Sequence, residues 1–349
     1  MLSLFQFILK VKPKKSQVET REAIGGMSMI ELLVGTVIAF LIITPLMGFV
    51  LGLLNDDSRE SAKATTEQEL QSALDFIAED LSQAIYVYDN DLTTGVPAIK
   101  SQLPTTGDPI LVFWKRQIMR ESIPTVSTGK PNACTASTTS TASNCNDSYV
   151  LSLVAYYLVD TDAASAWCQP GGANCPKQII RYQVHDGLKN PYAGNALYAD
   201  ADVKDSQKQR KAFNSLFDFS FSAPNVNVTS GAATFNTDPK TESQVLVNYI
   251  DATVASAANQ LELGAEQCRQ ALGITDTTPT EATLRINTDT NSFYACVDSR
   301  ADKKVVQINL RGNALRRIQQ DDAVYKPERR SYFPTASVTI RGIGGPAQN

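Results

Sequence analysis

From Met27 to Leu54 the chain is apolar at nearly every position, interrupted by Glu31 and a few small or hydroxylated residues. At about 1.5 Å per residue, a helix of that length crosses a bilayer. Beyond Leu54 the pattern stays helical but becomes two-sided. Leu70, Ala73, Leu74, Ile77, Ala78, Leu81 and Ile85 recur at three- and four-residue spacing, with Glu67, Asp75, Glu79 and Asp80 elsewhere on the cylinder. No proline or glycine interrupts Asn55 to Asn90. The spacing therefore predicts one long helix, suited to a membrane over 27–54 and amphipathic over 55–90. Pro45 removes a backbone donor in the apolar half and is expected to kink or locally melt the helix there.

Downstream, over 91–349, the pattern is that of strands and loops. ILVFW (Ile110–Trp114), YVLSLVAYYLV (Tyr149–Val159) and QIIRYQV (Gln178–Val184) are rich in β-branched and aromatic residues. VQINLR (Val306–Arg311) and SVTIRG (Ser337–Gly342) alternate, placing Val306, Ile308 and Leu310, then Val338 and Ile340, on one face. Alternation implies one covered face, and the amphipathic helix is the expected cover. The fold class is α+β: a long N-terminal helix packed on an antiparallel β-sheet with long, stapled loops.

The staples come from cysteine usage. Cys134, Cys145, Cys168, Cys175, Cys268 and Cys296 all follow the apolar segment, and none forms a CxxC pair. With His185 the single histidine, no zinc site of the usual mixed type can be completed, so no metal is expected. An even number of exported cysteines points to disulfides in an oxidising compartment. Cys134 and Cys145 bound the low-complexity stretch CTASTTSTASNC, and Cys168 and Cys175 flank a Pro-Gly-Gly turn. Cys268 and Cys296 remain for a third, longer loop, although six cysteines leave other connectivities open.

Composition narrows the function classes. The chain has 349 residues, 43% hydrophobic, with a net charge of −4, which suffices for one large or two small cores and lacks the basic excess a nucleic-acid partner requires. No GxSxG, HExxH, P-loop or GxGxxG occurs, and His185 precedes an Asp-Gly turn, so it is expected on a loop without a catalytic role. No cofactor is implied. Asp89, Asn90 and Asp91 offer oxygen ligands but lack the EF-hand order and its closing glutamate. They read as a solvated helix end, with calcium the competing reading. Arg316, Arg317, Lys326, Arg329 and Arg330 are interleaved with Asp321, Asp322 and Glu328. That mixture reads as an ordinary charged surface, with an acidic polysaccharide as the alternative partner.

The N-terminus sets the orientation. Lys10, Lys12, Lys14, Lys15 and Arg21 outnumber Glu19 and Glu22 ahead of the apolar run, so this end stays cytoplasmic and the remainder is exported. A secretory signal has its small-residue cleavage site after the apolar core. Here Gly25-Gly26 precedes it, so cleavage at that point removes the basic leader and leaves the helix on the mature chain. Glu31 then stands out, because a charge in hydrocarbon costs roughly 2.5–3.5 kcal/mol even on lenient scales and needs a cation.

Gly26 followed by Met27-Ser28-Met29-Ile30-Glu31-Leu32-Leu33-Val34 resembles the class III signal of type IV pilins and type II secretion pseudopilins. Members usually begin the mature chain with Phe, Thr and Leu, where this one has Met27, Ser28 and Met29. The resemblance implies a pilin-like fold, removal of 1–26 by a prepilin peptidase, and methylation of the freed Met27 amine. It implies that Glu31 meets that amine, in its own chain or a neighbour's, during fibre assembly. The large body looks like the bigger minor pseudopilins. The stretch NDDSRESAKATTEQELQSALDFIAEDLSQAIYVYD and the C-terminal FPTASVTIRG look most like the pseudopilins of cyanobacterial hormogonium polysaccharide secretion. The implied partners are other pilin-like subunits, an inner-membrane assembly platform, the peptidase and methyltransferase, membrane lipid before assembly, and secreted polysaccharide. The implied location is the plasma membrane, single-pass, with the body periplasmic, and the implied role is a non-enzymatic subunit serving secretion and gliding. The second function class is a membrane-anchored glycan-binding protein outside any fibre, which would need neither Gly26 nor Glu31.

Overall fold

The computed structural model describes residues 28–100, 103, 107–134, 144–168, 175–185, 187–204, 242–254, 266–300, 304–319 and 323–341. Two compact units are present, Met1–Asp56 and Asp57–Asn349. In the first, α1 (Met29–Ser82) begins, and every described residue up to Asp56 is exposed. Helix α1 runs without a break across Pro45, so the local melting expected there does not occur. A proline removes one intrahelical bond, and the turns on either side hold. Just before it, Thr44 Oγ1 donates to the Phe40 carbonyl at 2.8 Å.

The second unit continues α1 and adds β1 (Ala84–Val87), α2 (Val96–Ile99), β2 (Asp108–Pro124), β3 (Cys145–Asp160), β4 (Lys177–His185), β5 (Lys189–Asn190) and β6 (Ala196–Leu197). Then follow β7 (Glu242–Ile250), α3 (Gln267–Leu272), α4 (Glu281–Leu284), β8 (Arg285–Ile286), β9 (Phe293–Asp298), β10 (Val305–Arg311), α5 (Leu315–Ile318) and β11 (Thr335–Arg341). A five-stranded sheet runs β1-β2-β3-β4-β7, a four-stranded sheet runs β11-β10-β9-β8, and β5 pairs with β6. All pairings are antiparallel. The architecture is the expected α+β class.

The helix is shorter than its sequence pattern. It stops at Ser82, and Ile85, counted above in the helical stripe, lies in β1, where Ala84 and Tyr86 pair with Lys115 and Trp114. Ile85-Tyr86-Val87-Tyr88 is a β-branched and aromatic run, and pairing with β2 overrides the helical spacing. Trp114 Nε1 then donates to the buried Tyr88 hydroxyl at 2.8 Å. Strands β7 and β9 have no counterpart in the sequence reading. All six residues of β9 are buried, so alternation, the usual mark of a strand, is absent.

One core joins the helix and both large sheets. Leu70, Leu74, Ile77 and Leu81 pack with Phe113, Tyr156 and Ile179 of the first sheet and with Phe293, Ile308 and Leu310 of the second. The alternation expected of β10 and β11 holds: Ile308 pairs with Val338 and Val306 with Ile340, all on the core side. Gly312 lets the chain after β10 approach α1, because a Cβ there would lie 2.6 Å from Thr66 Cγ2.

Within this core sits an ionic cluster. Asp80 is buried, contrary to its assignment to the polar side of the helix. Its Oδ1 accepts from Lys115 Nζ of β2 at 2.6 Å, and its Oδ2 accepts from Arg181 Nε of β4 at 2.6 Å and from the Tyr156 hydroxyl of β3 at 2.7 Å. Arg181 also donates to Gln183 Oε1 at 2.6 Å, and Gln183 Nε2 to Gln117 Oε1 at 2.7 Å. Burial pushes the Asp80 carboxyl up, but the hydrogen bonds and charges of Arg181 and then Lys115 together outweigh it and hold it below the usual carboxylate range. Arg181 moves the other way: burial disfavours its charge, and Asp80 more than restores it.

Asp80→Ala is expected to destabilise the body by about 3–5 kcal/mol, because it leaves Lys115 and Arg181 buried without their counter-ion. A depressed carboxyl contributes stability above its unfolded pKa, about 4, and loses it as pH falls through the lower folded value. Urea unfolding should therefore show the native chain weakening below about pH 4 more steeply than Asp80→Asn. Equal midpoints for Asp80→Ala and the native chain at neutral pH would refute the role.

Candidate functional site

The first turn of α1 is built around Ser28. Its Oγ accepts from the Glu31 N–H at 3.2 Å, and its carbonyl from Glu31 and Leu32 at 3.0 and 3.2 Å. Ser-x-x-Glu is the spacing of a capping box, and a carboxylate in the first turn is favoured by the positive end of the helix. Glu31 is thus exposed, in the first turn of a helix whose next residues are exposed and apolar: Phe40 is 72% and Leu54 59% exposed. Such surface is unfavourable in water by about 25 cal/mol per Å². By length and composition this helix can span a membrane or serve as a signal sequence. Gly48 and Gly52 lie one turn apart with open space over each Cα. Gly26 and Met27 lie outside the described residues.

The six cysteines pair as neighbours in sequence: Cys134–Cys145, Cys168–Cys175 and Cys268–Cys296. The third bridge fastens α3 to β9, in a small core with Leu272, Leu284, Tyr294 and Val305. The second holds Cys168, fully buried, whose carbonyl accepts from Arg316 at 2.8 Å.

The oxygen ligands of Asp89, Asn90 and Asp91 follow β1 rather than the helix, and all three side chains serve the fold. Asp89 Oδ1 accepts from the Asp91 N–H at 3.0 Å, and its Oδ2 from the Ser299 hydroxyl. Asp91 Oδ1 accepts from Thr93 Oγ1 and N–H at 2.6 and 2.8 Å, bonds that hold its carboxyl below the usual range. Asn90 donates to the Ala282 carbonyl of α4 at 2.8 Å. Among the described residues no three His, Cys, Asp or Glu side chains group as a metal site. His185 ends β4, where its backbone pairs with Ser152, instead of standing on a loop.

The basic cluster does not form one charged surface. Arg316 is buried against the Cys168 loop. Arg317 ion-pairs with Glu69 of α1 and lies 4.1 Å over the Tyr249 ring. Lys326 and Arg330 are exposed. Asp321 and Asp322 lie outside the described residues. Spacing along the chain shows that charges are near each other but not which of them turn inward. The Asp80 cluster had a sequence signal that the reading missed. Asp80 is three residues after Ile77 and seven after Ala73, inside the apolar stripe, and a carboxylate in that position needs buried cations.

Replacing both Cys268 and Cys296 by alanine is expected to lower stability by about 2–4 kcal/mol, the usual range for a closed loop. Denaturant titration checks this, and an unchanged midpoint would show that the α3–β9 contact holds without its bridge.

No known family profile, curated protein or solved structure matches this chain. The structure itself shows a long apolar N-terminal helix packed, in its second half, on antiparallel sheets carrying three disulfides, an arrangement compatible with a pilin-like fold.

Proposed function

We propose that the chain is a non-enzymatic minor pseudopilin, a subunit of a type IV pilus-like or type II secretion-like fibre serving polysaccharide secretion and gliding. The observation that carries this reading is the double character of α1: its first half exposes apolar side chains around Glu31, and its second half is built into the core of the body. A fibre of packed helices uses both properties. Before assembly the apolar half resides in the plasma membrane as a single span, N-terminus cytoplasmic and body periplasmic. After assembly it packs on its counterparts, and Gly48 and Gly52 allow helices to approach closely.

The basic leader and Gly26 supply the processing step. A prepilin peptidase removes 1–26, its methyltransferase activity modifies the Met27 amine, and that amine, still charged, becomes the cation for Glu31. An assembly platform in the inner membrane and other pilin-like subunits are the partners that follow.

Two measurements test the reading. Intact mass of the membrane-extracted protein should give a chain that starts at methylated Met27; one still carrying residues 1–26 in cells with an active peptidase would rule out the assignment. Glu31→Ala should insert and accumulate normally yet fail to restore secretion and gliding, since breaking a buried pair costs about 3–5 kcal/mol, over a hundredfold in docking. Full complementation at normal abundance would overturn the fibre reading.

A further inference from the structure

We propose that the groove between α1 and the edge strand β7 is a binding site for an uncharged oligosaccharide. It has a volume of about 440 Å³, within the range of small-ligand sites. Gln68, Ser72 and Phe76 of α1 form one wall, and Leu246 and Asn248 of β7 with Trp167 form the other.

The aromatic side chains are exposed but firmly held. Phe76 is 37% exposed, and the buried Arg181 guanidinium lies 5.7 Å from its ring centre. Trp167 is 46% exposed and rests edge-to-face on Tyr249, with ring centres 5.9 Å apart. It directly precedes Cys168, which the disulfide to Cys175 and the Arg316 hydrogen bond to its carbonyl fasten in place. A large apolar ring displayed to water on so rigid a mount loses little freedom on binding, which favours affinity.

The strand opposite is irregular at this point. Ile179 pairs with Val247 and Lys177 with Ile250, so Asn248 and Tyr249 together face Gln178, a β-bulge. Tyr249 has φ 57°, a region where residues other than glycine are uncommon. Bulges re-aim side chains next to sites. Here the bulge turns the Tyr249 ring under Trp167 and sets Asn248 in the groove wall, where its Oδ1 is buried without a hydrogen-bond partner. Such unpaired acceptors are rare in folded proteins, and this one lies just behind the groove surface.

The charges nearby are used inside the protein. Glu69 is paired with Arg317, Arg317 covers Tyr249, and Arg316 holds the Cys168 carbonyl. The lining residues include no cation, and the one carboxylate among them, Glu69, is neutralised by its ion pair with Arg317. The other polar or aromatic lining groups are the Phe76 and Trp167 rings, the amides of Gln68 and Asn248, and the Ser72 hydroxyl. Aromatic faces take the C–H faces of a sugar ring, and amides and hydroxyls exchange hydrogen bonds with its hydroxyls. An acidic polymer finds no free cation among these lining residues. The inference does not depend on fibre assembly, because Glu31→Ala leaves the groove intact and the two readings fail separately.

The test uses the full chain, purified in a polyoxyethylene detergent that carries no sugar. The probes are neutral linear hexamers of β-1,4-glucan, α-1,4-glucan, β-1,4-mannan and β-1,4-xylan, with hexagalacturonate as the acidic comparison, titrated calorimetrically and by tryptophan fluorescence. At least one neutral hexamer should bind with a Kd below about 1 mM, with a blue shift from Trp167. Trp167→Ala should weaken that binding at least about tenfold, and Ser72→Glu, which fills the groove from an exposed helix position, should do the same. Both variants should keep the native thermal midpoint. Binding that survives either substitution, tighter binding of hexagalacturonate, or no binding of any neutral hexamer would overturn the proposal. So would loss of subunit docking in Trp167→Ala with oligosaccharide binding unchanged, which would make the groove a protein contact.

Discussion

A single buried carboxylate sets the position of α1 on the first sheet. Asp80 accepts from Lys115, Tyr156 and Arg181, side chains of three adjacent strands, and no other rotation or register of the helix satisfies all three. Buried ion pairs add little net stability compared with apolar packing, because desolvation offsets the attraction. Their effect here is on specificity. An apolar stripe alone would let the helix slide by a turn along the sheet with modest loss, whereas sliding Asp80 by a turn, about 5.4 Å, strands one carboxylate and two cations.

Other features follow from that register. With Asp80 in place, Phe76 one turn earlier lies against Arg181, and Glu69 reaches Arg317 of α5. A second buried pair acts between the sheets. Asp251, just after β7, accepts from Arg311 Nε at 2.9 Å at the end of β10, and it also holds Thr253, whose hydroxyl accepts from the Tyr325 N–H. Next to it Gly312 permits the close approach to Thr66. The helix and the two sheets are thereby locked at the same few points, and the groove beside Trp167 is a consequence of those locks.

Along α1 the chemistry changes where the charges appear. Asn55-Asp56-Asp57-Ser58-Arg59-Glu60 separates the apolar exposed half from the half with a buried stripe. On one continuous helix, the first half exposes an apolar surface long enough to span a membrane, and the second buries its stripe against the sheets. Propensity does not distinguish the halves, since both are helical. Burial does.

The sequence alone determined the features that depend on local spacing. The apolar length of α1, its stripe from Leu70 to Leu81 and the alternation of Val306, Ile308 and Leu310 are all set within a few dozen residues, whereas the cysteine connectivity, left open by the sequence, is settled by the structure. Tertiary structure alone decided the rest. Ile85 leaves the helical pattern because β2 offers it pairing, and β9 shows no alternation because both its faces are covered. Arg316 and Arg317, adjacent in sequence and alike in type, turn to the Cys168 loop and to Glu69. Asp80 meets Arg181 across a hundred residues of chain, and the bulge at Tyr249 brings Asn248 beside Trp167. Electrostatic pairing and strand pairing act across space, so their partners are chosen by the fold and not by distance along the chain.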